Sequence, residues 1–286
     1  MPDEIIVENM SLKEGIYHAS NFPDSFQPDM PEEGLDVLDV INHTSFWHKH
    51  RAFCIANALK KFMPQDSGWL ADVGGGNGYL AKFLAESGLQ TVLFEPAYSG
   101  VKNAQQRGVK NIIWGLLDAS IVREGCVPAI GLFDVLEHIE SDGDFIQNFR
   151  PFLRNDGIII CTVPAHNFLW SEKDDFVFHK RRYSLKQVRK LFVENGYDIV
   201  YGTYFFSLLL PAVFLLKSLP YRLFGKAKTA FEAQEKITRE HKQNRLLFSI
   251  FAYERMLIKY KKRLPIGASI LLVAKKVMQN GLKNNE

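Results

Sequence analysis

Residues 70–78 read Leu70-Ala71-Asp72-Val73-Gly74-Gly75-Gly76-Asn77-Gly78. An apolar strand end meets an acid, and glycines follow at alternate positions 74, 76 and 78. Glycine permits a tight turn without a side chain and lets a ligand lie close to the main chain. Tyr79 to Leu84 then show helical spacing, which puts the glycines at a strand-to-helix turn. A dinucleotide fingerprint beginning at Gly74 would require a third glycine at position 79, and Tyr79 stands there. The backbone here is one laid against a nucleoside, in a spacing that disfavours NAD.

Outward from this turn, strands and helices alternate. Apolar runs predict strands over 69–73, 91–94, 111–114, 128–133, 157–163, 198 to about 204, and 268–274. Helical spacing predicts helices over 46–63, 79–87, 99–107, 143–153 and 185–195. Such alternation implies a parallel sheet with helices on both faces. The expected fold is one α/β domain, doubly wound, with a mostly parallel seven-stranded sheet. Ligands of such sheets bind at the carboxyl ends of the strands, where strand order reverses. Residues 1–45 read as an irregular acidic arm, 46–204 as the cofactor-binding domain, 205–263 as a helical insert, and 264–286 as the last strand with a polar tail.

Composition agrees with a globular protein: of 286 residues, 47% are hydrophobic and 23% charged. Cys54, Cys126 and Cys161 have no metal-ligand spacing, and the N-terminus lacks the pattern of a signal peptide, so a reducing cytoplasm is the expected compartment. The net charge of +3 hides an asymmetry. Residues 1–41 carry ten acids against Lys13 alone, and residues 217–263 carry thirteen Lys and Arg against four Glu. Before that basic stretch, residues 205–216 form an apolar run interrupted by Pro211, too short for a spanning helix. Residues 205–263 are therefore a roof over the active site or a peripheral contact with the inner face of the membrane.

Acids recur after successive strands. Asp72 ends the first and can hold the turn. Glu95, followed by Pro96, ends the second, and its carboxylate can accept both hydroxyls of a ribose. Asp118, followed by Ala119, comes after the third and can accept from an adenine amine. An ordered set of three is hard to explain as surface decoration.

With these residues the chain resembles a class I S-adenosylmethionine-dependent methyltransferase from about Phe46 to Lys276. The turn Asp72–Gly78 matches the first motif of that family, Glu95 its ribose acid, and Asp118-Ala119 its adenine-contacting pair. Phe133-Asp134-Val135-Leu136-Glu137-His138-Ile139 is similar to the segment that lines the methyl donor, which implies cofactor contacts from Asp134 and Leu136. Gly75 stands where many relatives have Cys. His179-Lys180-Arg181-Arg182-Tyr183 resembles a segment of a bacterial subgroup. The resemblance implies S-adenosylmethionine as cofactor and S-adenosylhomocysteine as product.

A methyl transfer to oxygen requires a proton acceptor. His138, His166 and His179 are the candidates, although His138 is equally a packing histidine. Arg181, Arg182 and Tyr183 beside His179 could bind a phosphate or carboxylate of the acceptor, or could be ion-paired within a lid. Arg51 could pair with the methionine carboxylate of the cofactor or with an acid of the chain. Asp134, Glu137 and His138 offer donors to a divalent ion, but no fourth ligand is visible and the expectation is no metal. The acceptor expected is a small or lipid-linked molecule.

Three other readings compete. An NAD-dependent oxidoreductase is disfavoured by Tyr79. A nucleic-acid methyltransferase is disfavoured because Asp134-Val135-Leu136 lacks the two prolines of amino-group base modifiers. A cofactor-binding subunit without catalysis is disfavoured by the intact motifs.

Overall fold

The computed structural model describes residues 1–23, 46–64, 68–225 and 245–277. The arm beyond residue 23, residues 226–244 of the insert, and the tail from 278 lie outside the described residues. Nine strands form one sheet: β1 (Met10–Lys13), β2 (Ile16–Ala19), β3 (Trp69–Val73), β4 (Gln90–Glu95), β5 (Ile112–Trp114), β6 (Val127–Phe133), β7 (Leu153–Pro164), β8 (Tyr197–Phe205) and β9 (Ser269–Lys276). Their order is β1-β2-β5-β4-β3-β6-β7-β9-β8. The strands from β5 to β7 are parallel, whereas β9 runs antiparallel between β7 and β8. The doubly wound fold is as expected, but with nine strands where seven were expected.

The two additional strands correct the reading of the N-terminus as irregular. β1 and β2 form a hairpin, and Tyr17 and His18 of β2 pair in parallel with Ile113 and Trp114 of β5. Strands of four residues, such as Met-Ser-Leu-Lys, are too short to leave a clear periodic signal. Pairing with the sheet edge creates them.

β3 and β6 are buried along their whole length, as central strands covered on both faces must be. Apolar clusters flank the sheet on both sides. The helix α1 (Phe46–Phe62) buries Ile55, Ala58 and Leu59, each large side chain contributing about 1.5–3 kcal/mol. Next come α2 (Tyr79–Glu86), α3 (Tyr98–Gln106), α4 (Asp142–Gln147), α5 (Glu172–Phe176) and α6 (Leu185–Glu194). The helix expected over 143–153 stops at Gln147, because Pro151 lacks a donor and pushes Arg150 away from helical geometry. Leu153 already belongs to β7.

The described part of the insert contains α7 (Leu210–Val213), a π turn over Phe214–Ser218, and α8 (Leu219–Phe224). Pro211 and Pro220 sit in first turns, where a missing N–H costs little. Apolar spacing predicts one amphipathic helix over 245–262; the chain divides there at Phe251 into α9 (Arg245–Ile250) and α10 (Ala252–Lys259). Glu254 of α10 anchors this region to the domain. It accepts from the amides of Phe206 at 2.8 Å and Ser207 at 2.7 Å, from the Ser207 hydroxyl, and from His50 Nε2 of α1 at 3.1 Å.

Candidate active site

Strand order reverses between β3 and β6; Asp72 is the penultimate residue of β3, and Asp134 directly follows β6. Gly74, Gly76 and Gly78 have φ of 67°, 55° and 71°, the left-handed region that glycine enters without strain. A Cβ on Gly76 would meet nothing within 4 Å, so this backbone faces open space. At Gly78 a Cβ would lie 2.7 Å from that of Ala104, which fixes how closely α3 approaches the turn. Glu95 accepts from the amides of Gly76 at 2.7 Å and Ala97 at 2.8 Å. Its carboxylate thus locks the turn to the end of β4.

Asp72 is 1% exposed, and neither carboxylate oxygen has a hydrogen-bond partner. Burial pushes its pKa up to about 7, against the opposing pull of the Arg51 charge. Burial likewise pushes Glu95 up to about 7, despite its two amide donors. A buried acid without partners costs free energy unless a ligand completes it. The cavity lined by Asp72, Gly74, Gly75, Gly76 and Asn77 is where such a ligand fits.

Across the cavity, Asp134 adopts a φ of 58°, uncommon for a residue with a Cβ. Its carboxylate accepts from Arg51 and, at 2.8 Å, from Thr162 Oγ1. Arg51 therefore pairs with an acid of the chain. Glu137 is 0% exposed and its oxygens lack hydrogen-bond partners; burial pushes its pKa to about 8. His179 Nε2 stands 3.7 Å from Glu137 Oε1, and the His138 and His179 rings meet edge to face at 4.9 Å. His179 Nδ1 lies 2.8 Å from Asp174 Oδ1. Burial alone would raise the pKa of Asp174, but His179 and the Arg182 guanidinium hold it well below the usual carboxylate range. Arg182 donates to both oxygens, at 2.7 and 3.0 Å, and Ser171 caps the same carboxylate. The stable arrangement has Nδ1–H donating to Asp174, which leaves Nε2 as an acceptor facing Glu137.

Of the residues singled out from sequence, Asp72, Gly74, Gly76, Asp134, His138, His179 and Arg182 line this one cavity. Gly78 supports it from behind. Glu95, Pro96, Asp118 and Ala119 do not line it; Asp118 accepts from the Ser120 amide at 2.8 Å, a local turn bond. Three assignments need correction. Leu136 is fully buried among core side chains beneath the cavity. Tyr183 is 5% exposed, and its hydroxyl donates to Asp142 at 2.7 Å. Arg181 also turns to Asp142, at 3.2 Å, and to the Glu140 carbonyl. These two serve the lid's attachment because α4 presents an acid exactly under them. His166 stacks on Tyr204 at 4.9 Å and does not line the cavity.

Sequence reasoning missed Trp47, Tyr79, Lys173 and Val213 as lining residues. Trp47 stacks on Phe206, 3.7 Å between centroids, and so carries the start of α1 over the site. Lys173 is half-buried in the lining, and burial together with Lys217 pushes its pKa down to about 8. Tyr79 adjoins the glycine turn, Val213 lies in the apolar run 205–216 and Trp47 has helical apolar spacing; of the four, Lys173 alone left no signal. On the β5 side, Trp114 is ringed by Tyr98 at 4.8 Å and by His18 at 5.0 Å, so the N-terminal hairpin closes that edge.

A family model described as a methyltransferase domain matches residues 46–203. No curated protein matches the chain at a significant level. Many solved structures share its fold. Phosphoethanolamine N-methyltransferase 2 of Haemonchus contortus, solved with S-adenosyl-L-methionine, superposes with a TM-score of 0.56 at 15% identity, over 90% of this chain and 62% of its own. A chain from the complex of the Haloferax volcanii Trm112 methyltransferase activator superposes at 0.55 and 14% identity, over 86% of this chain and 97% of that one. An S-adenosylmethionine-dependent methyltransferase of Thermotoga maritima gives 0.52 at 14% identity, over 86% and 97%. At such identities these likenesses speak for the fold alone.

Proposed function

The chain belongs to the class I S-adenosylmethionine-dependent methyltransferases, and from this premise we propose that it methylates a small or lipid-linked acceptor in the cavity between β3, β6 and the insert. The single observation that carries the site is Asp72, a fully buried carboxylate with no partner beside a glycine turn open to the cavity. That arrangement fits the cationic methionine end of the cofactor. Glu95 retains acceptor capacity on each oxygen beyond its amide bonds, and so can still receive ribose hydroxyls. Asp118 and Ala119, in the loop after β5, are the pair we assign to the adenine.

Bound there, S-adenosylmethionine supplies a methyl group already activated on a sulfonium. The residues of the chain then have three tasks. Asp72 and the Gly74–Gly76 backbone hold the donor; Arg51, paired with Asp134, braces the opposite wall; Trp47 and Val213 give the cavity an apolar lining. The nucleophilic end of the acceptor is received where Glu137, His138 and His179 meet. Lys173 in the same lining suits an acceptor bearing a phosphate or carboxylate. That role passes to Lys173 because Arg182 is committed to Asp174.

The insert supports a hydrophobic or membrane-linked acceptor. Val213 lines the cavity, while Leu215, Leu216, Leu223 and Phe224 of the same segment are 56–84% exposed. With Lys217 and Arg222 in the same segment, these side chains suit an anionic lipid surface. No helix among the described residues is long and apolar enough to cross a membrane. Incubation with methyl-labelled cofactor and separated lipid and aqueous cell extracts tests the reading. Label is expected in an acceptor of the lipid fraction; label confined to aqueous products would discard the lipid-linked acceptor, and no transfer to any fraction would discard the catalytic reading.

A further inference from the structure

We infer that Glu137, His138 and His179 form a binding site for one divalent transition-metal ion at the acceptor end of the cavity. The inference rests on the reading of that cavity as the active site. Each of the three residues offers one ligand atom, and these atoms lie within 4.8 Å of one another. Glu137 Oε1 and His179 Nε2 are 3.7 Å apart. Metal–ligand bonds of about 2.0–2.2 Å place neighbouring donors about 3–3.5 Å apart, so small side-chain rotations complete the set.

Two independent observations point to a ligand here. Glu137 is fully buried and neither of its oxygens has a hydrogen-bond partner, an arrangement that a cation bound in the cavity relieves. The surroundings of His179 also have the form that orients a metal-ligating histidine. Its Nδ1 is 2.8 Å from Asp174, and Asp174 is clamped by Arg182 and capped by Ser171. A carboxylate on the far nitrogen fixes the tautomer and directs the near nitrogen at the ion. His179, 41 residues after His138 in the sequence, takes the place of Asp134, which is paired with Arg51.

Two imidazoles and one carboxylate favour zinc, manganese or iron(II) over magnesium and calcium, which prefer all-oxygen sets. Three protein ligands leave a position open towards the cavity, as catalytic sites do. An acceptor hydroxyl reaching that position would lose its proton to water more readily. Its oxygen would then attack the methyl carbon: the C–O bond forms as the S–CH3 bond breaks, and the electron pair stays on sulfur.

The test uses the full chain, stripped with a chelator and returned to chelator-free buffer. Calorimetric titration with Zn²⁺, and separately with Mg²⁺, is expected to show one site for Zn²⁺ at micromolar concentration and binding of Mg²⁺ weaker by at least about a hundredfold. Glu137→Gln and His179→Ala are each expected to weaken Zn²⁺ at least about tenfold. The visible absorption of the Co²⁺-loaded wild type, which reports imidazole ligation, provides a readout independent of how the variants fold. No stoichiometric Zn²⁺ site in the wild type overturns the inference. Undiminished binding in both variants overturns it too, placing the ion elsewhere, for instance at Cys126. S-adenosylhomocysteine is titrated into the same metal-free samples. Its binding in the absence of a Zn²⁺ site removes the metal alone, whereas failure to bind it removes the active-site reading.

Discussion

The root of the insert buries one acid with its donors complete, whereas the cavity buries two acids that have none beside one that has them. Glu254 has four donors for its two oxygens, from His50, Phe206 and Ser207. Asp174 has five, from His179, Ser171 and Arg182. Asp72 and Glu137 are as deeply buried and have none. An acid of the first kind holds elements together, because its desolvation is offset by strong charge-assisted bonds. One of the second kind costs stability in the free protein and is retained for what it binds. Partner count, more than burial, separates Glu254 and Asp174 from Asp72 and Glu137.

The contrast can be broken by substitution. Glu254→Ala strands two amides and the His50 imidazole, so a loss of about 3–5 kcal/mol is expected in denaturant unfolding. The folded fraction should still bind S-adenosylhomocysteine; a loss of affinity without a loss of stability would place Glu254 in the wrong class. Asp72→Asn should behave inversely. Calorimetry is expected to show S-adenosylhomocysteine weakened about a hundredfold, which is roughly 2.7 kcal/mol.

The same variant should stabilise the free protein, in a manner that depends on pH. The folded-state pKa of Asp72 is raised to about 7, against about 3.9 in the unfolded chain. A raised value means that the folded state binds the proton more tightly, so stability is fullest below about pH 4 and declines as pH rises to 7. Asp72→Asn removes this decline. At pH 8 it is expected to unfold about 2–4 kcal/mol later than the wild type, with the gap closing towards pH 4. Asp174 has the opposite sign, since its pKa is depressed: its contribution is whole above about pH 4 and disappears as pH falls further. A wild-type stability profile that lacks both slopes would undo the distinction.

Smaller effects sharpen it. Gly78→Ala combines a φ of 71° with a contact of 2.7 Å to Ala104, and about 1–3 kcal/mol of destabilisation is expected. Leu216→Ser, at a side chain 70% exposed, should leave stability within about 0.5 kcal/mol and reduce flotation with anionic liposomes at low salt. Unchanged flotation would argue that the exposed apolar face meets something other than lipid.

Much of this was legible in the chain. The glycine spacing, the acid two residues ahead of it and the apolar strand runs gave the sheet, its winding and its cofactor. These signals are local: a turn requiring positive φ and a strand covered on both faces each leave a mark on neighbouring residues. The N-terminal hairpin left no such mark, because β2 exists through its pairing with β5. Arg181 and Tyr183 were misassigned for a related reason. Their chemistry suits an anion, and only the packing of the lid against Asp142 shows where that chemistry is used.

By itself, then, the sequence determined the class of fold and the donor of the methyl group. Tertiary structure decided which acids are satisfied and which are not. It also brought His179 to Glu137 and His138, gave Arg51 to Asp134, and put Lys173 in the cavity where Arg182 had been expected to act. The physical reason is distance along the chain. Backbone conformation follows from adjacent residues, whereas the partner of a buried charge can come from any segment that the fold places beside it.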